Sequence, residues 1–199
     1  TTSTVNLAWS LSLLGMKVLV IDLDPQGNAS TALDAVHHVG TPSSYEVLLN
    51  EMSVDEVMQG NDENENIFCV PATIDLAGAE INLVNEVRRE YRLSSALSDG
   101  WMEEHGFDYV FIDCPPSLGL LTINAMTAVD EVLIPIQCEY YALEGVSQLI
   151  DNIAMIRENL NPNLHISGVL LTMYDGRTRL SQNVSDDVRT HFGSVLLDN

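Results

Sequence analysis

The sequence predicts an α/β fold: a doubly wound, mostly parallel sheet with helices on both of its faces. Three observations predict it. Residues 18–21 and 109–112 are short β-branched, aliphatic or aromatic runs of the kind found in strands buried on both sides. Each run ends in Asp with a Pro two or three residues further on, where regular structure stops. Stretches with helical spacing lie between such runs, and strand–helix alternation is the pattern of a parallel sheet covered on both faces.

From the start of the chain, Val5, Leu7, Ala8, Trp9, Leu11, Leu13 and Leu14 predict a mostly buried helix face, and Gly15 can end that helix in the left-handed conformation. The strand 18–21 runs into Asp22-Leu23-Asp24-Pro25-Gln26-Gly27-Asn28. Ser53-Val54-Asp55-Glu56 fits a capping box before a short helix, residues 61–66 read as a solvated acidic and amide loop, and residues 67–70 as a short strand. Residues 76–97 are helical by composition, with a break at Gly78. The strand 109–112 ends in Asp113-Cys114-Pro115-Pro116-Ser117, and a helix over 118–129 follows. A strand at 132–136 ends at Gln137-Cys138-Glu139, a helix covers 143–160, a strand at 166–172 ends at Tyr174-Asp175-Gly176, and a helix covers 180–192. Val195 to Leu197 read as the start of another strand. No repeat and no linker divides the chain, so residues 1–199 are expected to form one domain, cut at both ends: it opens at Thr1 without Met and stops just inside a strand.

The 199 residues are 46% hydrophobic and 19% charged, values that exclude a disordered or low-complexity chain. Eight Lys and Arg against 29 Asp and Glu leave a net charge of −21, so nucleic acid or anionic membrane can be met only through a local patch. Cys69, Cys114 and Cys138 lack CxxC spacing and read as reduced cytosolic thiols, without a disulfide framework or a zinc site. No apolar run approaches the roughly 20 residues of a membrane span, which predicts a soluble protein.

In an open parallel sheet, ligands bind outside the carboxyl ends of the strands. Asp22, Asp24 and Asp113 sit there. Asp22 and Asp24 are expected to point the same way if the strand continues, and three carboxylates converging at one sheet edge call for a cation among them, Mg²⁺ by its preference for oxygen ligands. A single Asp would read as a cap of the next turn. Thr1-Thr2-Ser3-Thr4 opens a helix whose free N–H groups suit an anion, and a hydroxyl there can reach a phosphate or its Mg²⁺.

The chain holds a single lysine, Lys17, which falls at the start of a strand and so at the opposite end of the sheet from the carboxylates. It cannot serve as a phosphate lysine, which in a P-loop NTPase directly precedes the Thr or Ser that meets Mg²⁺. That lysine would stand immediately before Thr1. A phosphoacceptor receiver domain also gathers acidic residues at strand ends, but it needs a lysine at a later strand end, and none stands at Ile136, Thr172 or Leu197.

Residues 1–8, 20–31, 112–119, 137–145 and 171–181, in that order, resemble the ParA/Soj chromosome-partitioning ATPases, and residues 71–80 are similar to the same family. The resemblance implies a P-loop NTPase-like, deviant Walker A fold of the SIMIBI type whose first strand and glycine-rich loop precede Thr1. It implies that Thr1 follows the Walker A lysine and binds Mg²⁺, that Thr2 lies beside the α-phosphate, and that Asp24 holds the attacking water. Asp22 then supports the Mg²⁺ shell, Asp113 is the Walker B carboxylate acting on Mg²⁺ through water, and Pro115 and Pro116 form a switch that senses the γ-phosphate. The cofactors implied are ATP and Mg²⁺. The partners implied are a second subunit in an ATP-dependent homodimer, non-specific DNA of the nucleoid, and a ParB-type centromere-binding protein. A cytoplasmic, nucleoid-associated protein without stable membrane association follows. Both nucleotide lysines would lie outside this sequence, so the chain alone is expected to be inactive and the intact protein to hydrolyse ATP.

Arg177, Arg179 and Arg189, with His191 nearby, are three of seven arginines and form the candidate DNA patch that a dimer would double; three solvated arginines are the plainer reading. Tyr140, Tyr141, Trp9 and Trp101 read as packing residues rather than base-stacking ones, His37, His38 and His105 as surface residues, and Cys114 and Cys138 as packed thiols. The alternatives are a MinD-like membrane-cycling ATPase, which would carry a C-terminal amphipathic helix, and a non-hydrolysing nucleotide-dependent binding module.

Overall fold

The computed structural model describes residues 1–98, 100–139 and 142–197. Tyr140, Tyr141 and the side chains of residues 142–145 and His191 lie outside the described residues, and with them the readings placed there. By contacts the chain divides into two compact units, Thr1–Ala128 and Val129–Asn199.

In the first unit, α1 (Thr2–Leu13) leads into β1 (Val18–Asp22). Then come α2 (Asn28–Ala32), α3 (Ser44–Leu49), α4 (Val54–Val57), β2 (Gln59–Gly60), β3 (Ile67–Val70), α5 (Ala79–Leu83), α6 (Arg92–Ala96), α7 (Trp101–His105), β4 (Tyr109–Asp113) and α8 (Leu120–Ala128). The sheet order is β2-β3-β1-β4: β1 pairs in parallel with β3 and β4, and the short β2 lies antiparallel on β3. Every residue of β1 is buried, and its side chains alternate as a strand's must. Leu19 and Ile21 enter a core with Leu48, Leu76, Leu93 and Leu121; Val18 and Val20 pack on the other face with Ala8, Ala29, Leu33 and Cys69. This is the covered-on-both-sides strand that the apolar run predicts.

The expectation that these apolar residues form a mostly buried face of α1 is corrected. Only Ala8 and Ser12 are buried, while Leu13 and Leu14 are 69% and 76% exposed. The apolar residues are spaced too densely to share one stripe, so they run round the helix, and only the side bearing Ala8 and Ser12 meets the sheet. The end of α1 is as expected: Gly15 takes φ +87°, with Gly15 N–H donating to Ser12 O and Met16 N–H to Leu11 O, a Schellman closure.

Residues 76–97 are not one long helix. Gly78 keeps right-handed angles and passes a short 3₁₀ turn into α5; the break comes later, where Arg88 takes φ +55° before α6. The capping box at Ser53 and Glu56 is present, and a second one, Ser43 with Glu46, starts α3. The acidic loop is fastened rather than merely solvated: Asn61 donates to Leu33 O, and Asn64 and Asn66 donate to the Ser12 hydroxyl and carbonyl. Lys17 sits at the strand start, its Nζ donating to His105 O and lying 4.6 Å from the Phe107 ring centroid, so it is a packed residue far along β1 from Asp22. His105, expected at the surface, is half-buried, stacked on Trp101 with its Nε2 2.9 Å from Asp55.

The second unit pairs β5 (Glu131–Gln137) in parallel with β6 (His165–Thr172), with a register shift between Val132 and Leu133. The helices are α9 (Ala142–Asn159) and α10 (Arg179–Phe192), the latter capped by Thr178, whose hydroxyl accepts from Ser181 N–H. The expected strand at Val195 is reduced to a single parallel bridge, Leu196 to Val169, after a 3₁₀ turn over Gly193–Val195. Among the described residues no helix is long and apolar enough to cross a membrane.

Candidate functional site

β1 and β4 run in parallel register, which sets Asp22 opposite Asp113 at their carboxyl ends. Both carboxylates are buried, at 0% and 3% exposure. Two adjacent buried anions repel unless donors meet them, and here side chains and backbone supply the donors. Asp113 Oδ2 accepts from the Thr1 hydroxyl at 2.7 Å, and its Oδ1 accepts from the Thr4 hydroxyl at 2.9 Å. Thr1 and Thr4 are a turn apart on α1, so both hydroxyls can reach one carboxylate. Sequence reasoning singled out Thr1 and passed over Thr4, although their spacing carries the signal.

Asp22 is held just as fully. Its Oδ1 accepts from Asp24 N–H at 3.0 Å; its Oδ2 accepts from Ser30 N–H at 2.8 Å and the Ser30 hydroxyl at 2.7 Å. Ser30 also accepts from Ala72 N–H at 2.9 Å, and the Ser44 hydroxyl donates to Asp22 O at 2.7 Å. Burial pushes the Asp22 carboxyl above its ordinary value, with Asp113 adding to the rise and the Ser30 and Asp24 hydrogen bonds opposing it. Ser30 and Ser44 are fully buried polar residues that the sequence reading left unassigned; a Ser on the first turn of a helix that follows an Asp-rich strand end was the available signal.

Asp24 is placed differently from the expectation that it points the same way as Asp22. β1 ends at Asp22, Leu23 is buried with its N–H donating to Asp113 O, and Asp24 turns back on its own loop. Asp24 Oδ1 accepts from Gln26 N–H at 3.0 Å, and Gly27 N–H donates to Asp24 O at 2.8 Å. The three carboxylates therefore do not converge around a cation by themselves: among the described residues no group of three His, Cys, Asp or Glu side chains is arranged to hold a metal ion. Asp24 is half-buried, and among the described residues its Oδ2 accepts no hydrogen bond.

Gly27 is a position where the backbone requires glycine. Its φ is +64°, and a Cβ there would lie 2.9 Å from His37 Nδ1 and 3.1 Å from Ala72 O. Gly27→Ala should cost about 1–3 kcal/mol in chemical denaturation, because a left-handed residue with a side chain is strained and the carbonyl cannot yield. His37, expected at the surface, is half-buried against this glycine.

Thr2 is exposed on the first turn of α1. Pro115 is half-buried and Pro116 exposed in the segment between Asp113 and α8, and Thr122 ties that segment back by donating to Ser117 O at 2.6 Å. All three cysteines are free; burial pushes the Cys114 thiol up to about 12 and Cys69 further in the same direction, so both are inert thiols packed beside the carboxylates. In the second unit Arg177, Arg179 and Arg189 are all exposed, but Arg177 is held by Asp175, Nη2 to Oδ2 at 2.7 Å and Nε to Oδ1 at 2.9 Å.

Buried, paired carboxylates at the carboxyl ends of adjacent parallel strands, facing the first turn of a helix, form the ligand-binding edge of an α/β sheet. Comparison with known proteins agrees with that architecture. The family model described as an AAA domain matches residues 1–166. The chain is 48% identical over 198 residues to the chromosome partitioning protein ParA of Myxococcus xanthus, covering 100% of this chain and 69% of that protein. It is 47% identical over 192 residues to the sporulation initiation inhibitor protein Soj of Bacillus subtilis, covering 96% and 74%. Among solved structures it is similar to cobyrinic acid a,c-diamide synthase of Mycobacterium smegmatis with bound ATP analogue and magnesium, with a TM-score of 0.86 and 40% identity over 96% of this chain and 77% of that one. With Asp22 and Asp113 at the ends of adjacent parallel strands, and with these relatives along its whole length, the chain belongs to the ParA/Soj family of chromosome-partitioning ATPases.

Proposed function

We propose that this chain is the core of an ATP-hydrolysing partitioning protein, residues 1–199 acting as one ATPase domain, which forms a dimer when Mg-ATP is bound, holds DNA without sequence preference at the nucleoid in the cytoplasm, and releases it when a ParB-type partner triggers hydrolysis. The observation that carries the reading is the bonded pair of Thr1 and Asp113 at the carboxyl edge of the sheet. Its donor set fits Mg²⁺: a hydroxyl and a carboxylate, both hard oxygen ligands, with room in an octahedral shell for waters and phosphate oxygens. Thr1 would ligate the ion through its hydroxyl, and Asp113 through water. Bound there, Mg²⁺ would neutralise charge on the transferring phosphoryl group.

The remaining work falls to the chain's own residues. Thr2, on the first turn of α1, would meet the α-phosphate with the helix N-terminus behind it. Asp24 would orient the attacking water through Oδ2 while Oδ1 stays tied to Gln26. Asp22, whose oxygens are engaged by Ser30 and the Asp24 amide, would support the metal shell from behind by fixing the Asp24 backbone and adding negative charge beside Asp113. Pro115 and Pro116 would carry the γ-phosphate signal from Asp113 toward α8. Positioning and charge neutralisation of this kind suffice for phosphoryl transfer to water.

The test is ATP turnover by the product of the complete reading frame. Turnover should rise when DNA and a ParB-type protein are added together; a protein that binds ATP without hydrolysing it overturns the reading in favour of the nucleotide-dependent binding module, and one that binds no ATP overturns both. DNA binding should follow charge. Arg179→Ala with Arg189→Ala should weaken ATP-dependent DNA binding about tenfold and flatten its salt dependence, whereas Arg177→Ala, whose charge Asp175 already neutralises, should change it little. Titration at several salt concentrations checks this, and unchanged affinity in the double variant removes these arginines from the interface.

A further inference from the structure

The loop that carries Asp24 is held from outside by His37, which neither the motif nor the catalytic reading includes. Thr31, on α2, donates its hydroxyl proton to Gly27 O at 3.0 Å, and the same oxygen lies 3.0 Å from His37 Nε2. A hydroxyl has one proton. With that proton directed at the carbonyl, the Thr31 oxygen can accept from His37, the pairing in which Nε2 carries the hydrogen. The imidazole also lies against Gly27, close enough that a Cβ there would stand 2.9 Å from Nδ1. Gly27 in turn closes on Asp24 through its N–H. The chain of contacts is therefore continuous: His37 to Thr31, Thr31 to Gly27 O, Gly27 N–H to Asp24 O, with the ring packed on the turn it secures.

We propose that His37 is a positioning residue for Asp24: it clamps the Asp24 to Gly27 turn so that the carboxylate is presented at a fixed place. The proposal rests on the reading of Asp24 as the water-orienting group. The loop bearing His37 has a second anchor, Gln59, which bonds Val36 on both its N–H and its carbonyl, so removing the imidazole should loosen the turn without detaching the loop.

The experiment compares the product of the complete reading frame with its His37→Ala and His37→Gln variants in steady-state ATP turnover, thermal unfolding and amide hydrogen exchange. In His37→Ala, kcat should fall about tenfold with KM for ATP within about twofold, because a misplaced group lowers the rate without weakening nucleotide binding. The Gly27 and Gln26 amides should exchange faster while the melting temperature changes little. His37→Gln, whose side-chain amide can donate to Thr31, should recover most of kcat and of the protection. Unchanged kcat and exchange in His37→Ala overturn the proposal alone. So do alanine and glutamine variants that lose activity equally and in step with melting temperature, the signature of a merely structural residue. A wild-type protein that turns over no ATP overturns the reading of Asp24 and the proposal with it.

Discussion

Asp24→Asn should leave the protein folded and able to bind ATP while lowering hydrolysis about a hundredfold or more. The structure makes this variant informative. Asp24 Oδ1 accepts a hydrogen bond from Gln26 N–H, and an asparagine oxygen can accept the same bond, so the turn survives. What changes is the other side-chain atom: an oxygen able to accept from water becomes an amide nitrogen that can only donate. Single-turnover kinetics and ATP affinity, measured together on the product of the complete reading frame, check the separation. Loss of ATP affinity in step with the rate would move Asp24 from water orientation to nucleotide binding.

Ser30→Ala is expected to be the most destabilising of the small substitutions near the site, by about 2–3 kcal/mol in equilibrium denaturation. The hydroxyl is fully buried and makes two bonds at once, donating to Asp22 Oδ2 and accepting from Ala72 N–H. Removing it leaves a buried carboxylate short of a donor and a buried amide without an acceptor, and each loss carries a desolvation cost. The Ser30 N–H still reaches Asp22, so the carboxylate is weakened rather than stranded. A cost under about half a kcal/mol, the range of ordinary surface substitutions, would mean that water enters and replaces both bonds.

These two residues mark how far the sequence could be read. Asp24 belongs to a run with Pro and Gly that announces a strand-end turn, and its role is suggested by the family resemblance. Ser30 is written in the same run, yet nothing in its spacing says that it turns inward to Asp22 rather than outward to solvent. The helix at Thr2, the strands at 18, 67 and 109, the left-handed Gly15 and the Ser53 capping box were legible because each depends on neighbours a few residues away. The short helices α2, α3 and α7, and the break at Arg88, were missed because short elements are decided by what packs on them, not by their own propensity.

By itself the amino-acid order determined the α/β class, the strand ends at which the carboxylates stand, the place of the one lysine away from them, and the family. Tertiary structure alone decided which partners the carboxylates take. It set Asp113 against Thr1 and Thr4, gave Asp22 to Ser30, turned Asp24 back on its own loop, and laid His37 over Gly27. The physical reason is range. Propensity and periodicity act over a turn or a strand, whereas a buried charge takes whichever donor the folded chain brings within hydrogen-bond distance, and for Asp113 that donor lies at the far end of the first unit's sequence.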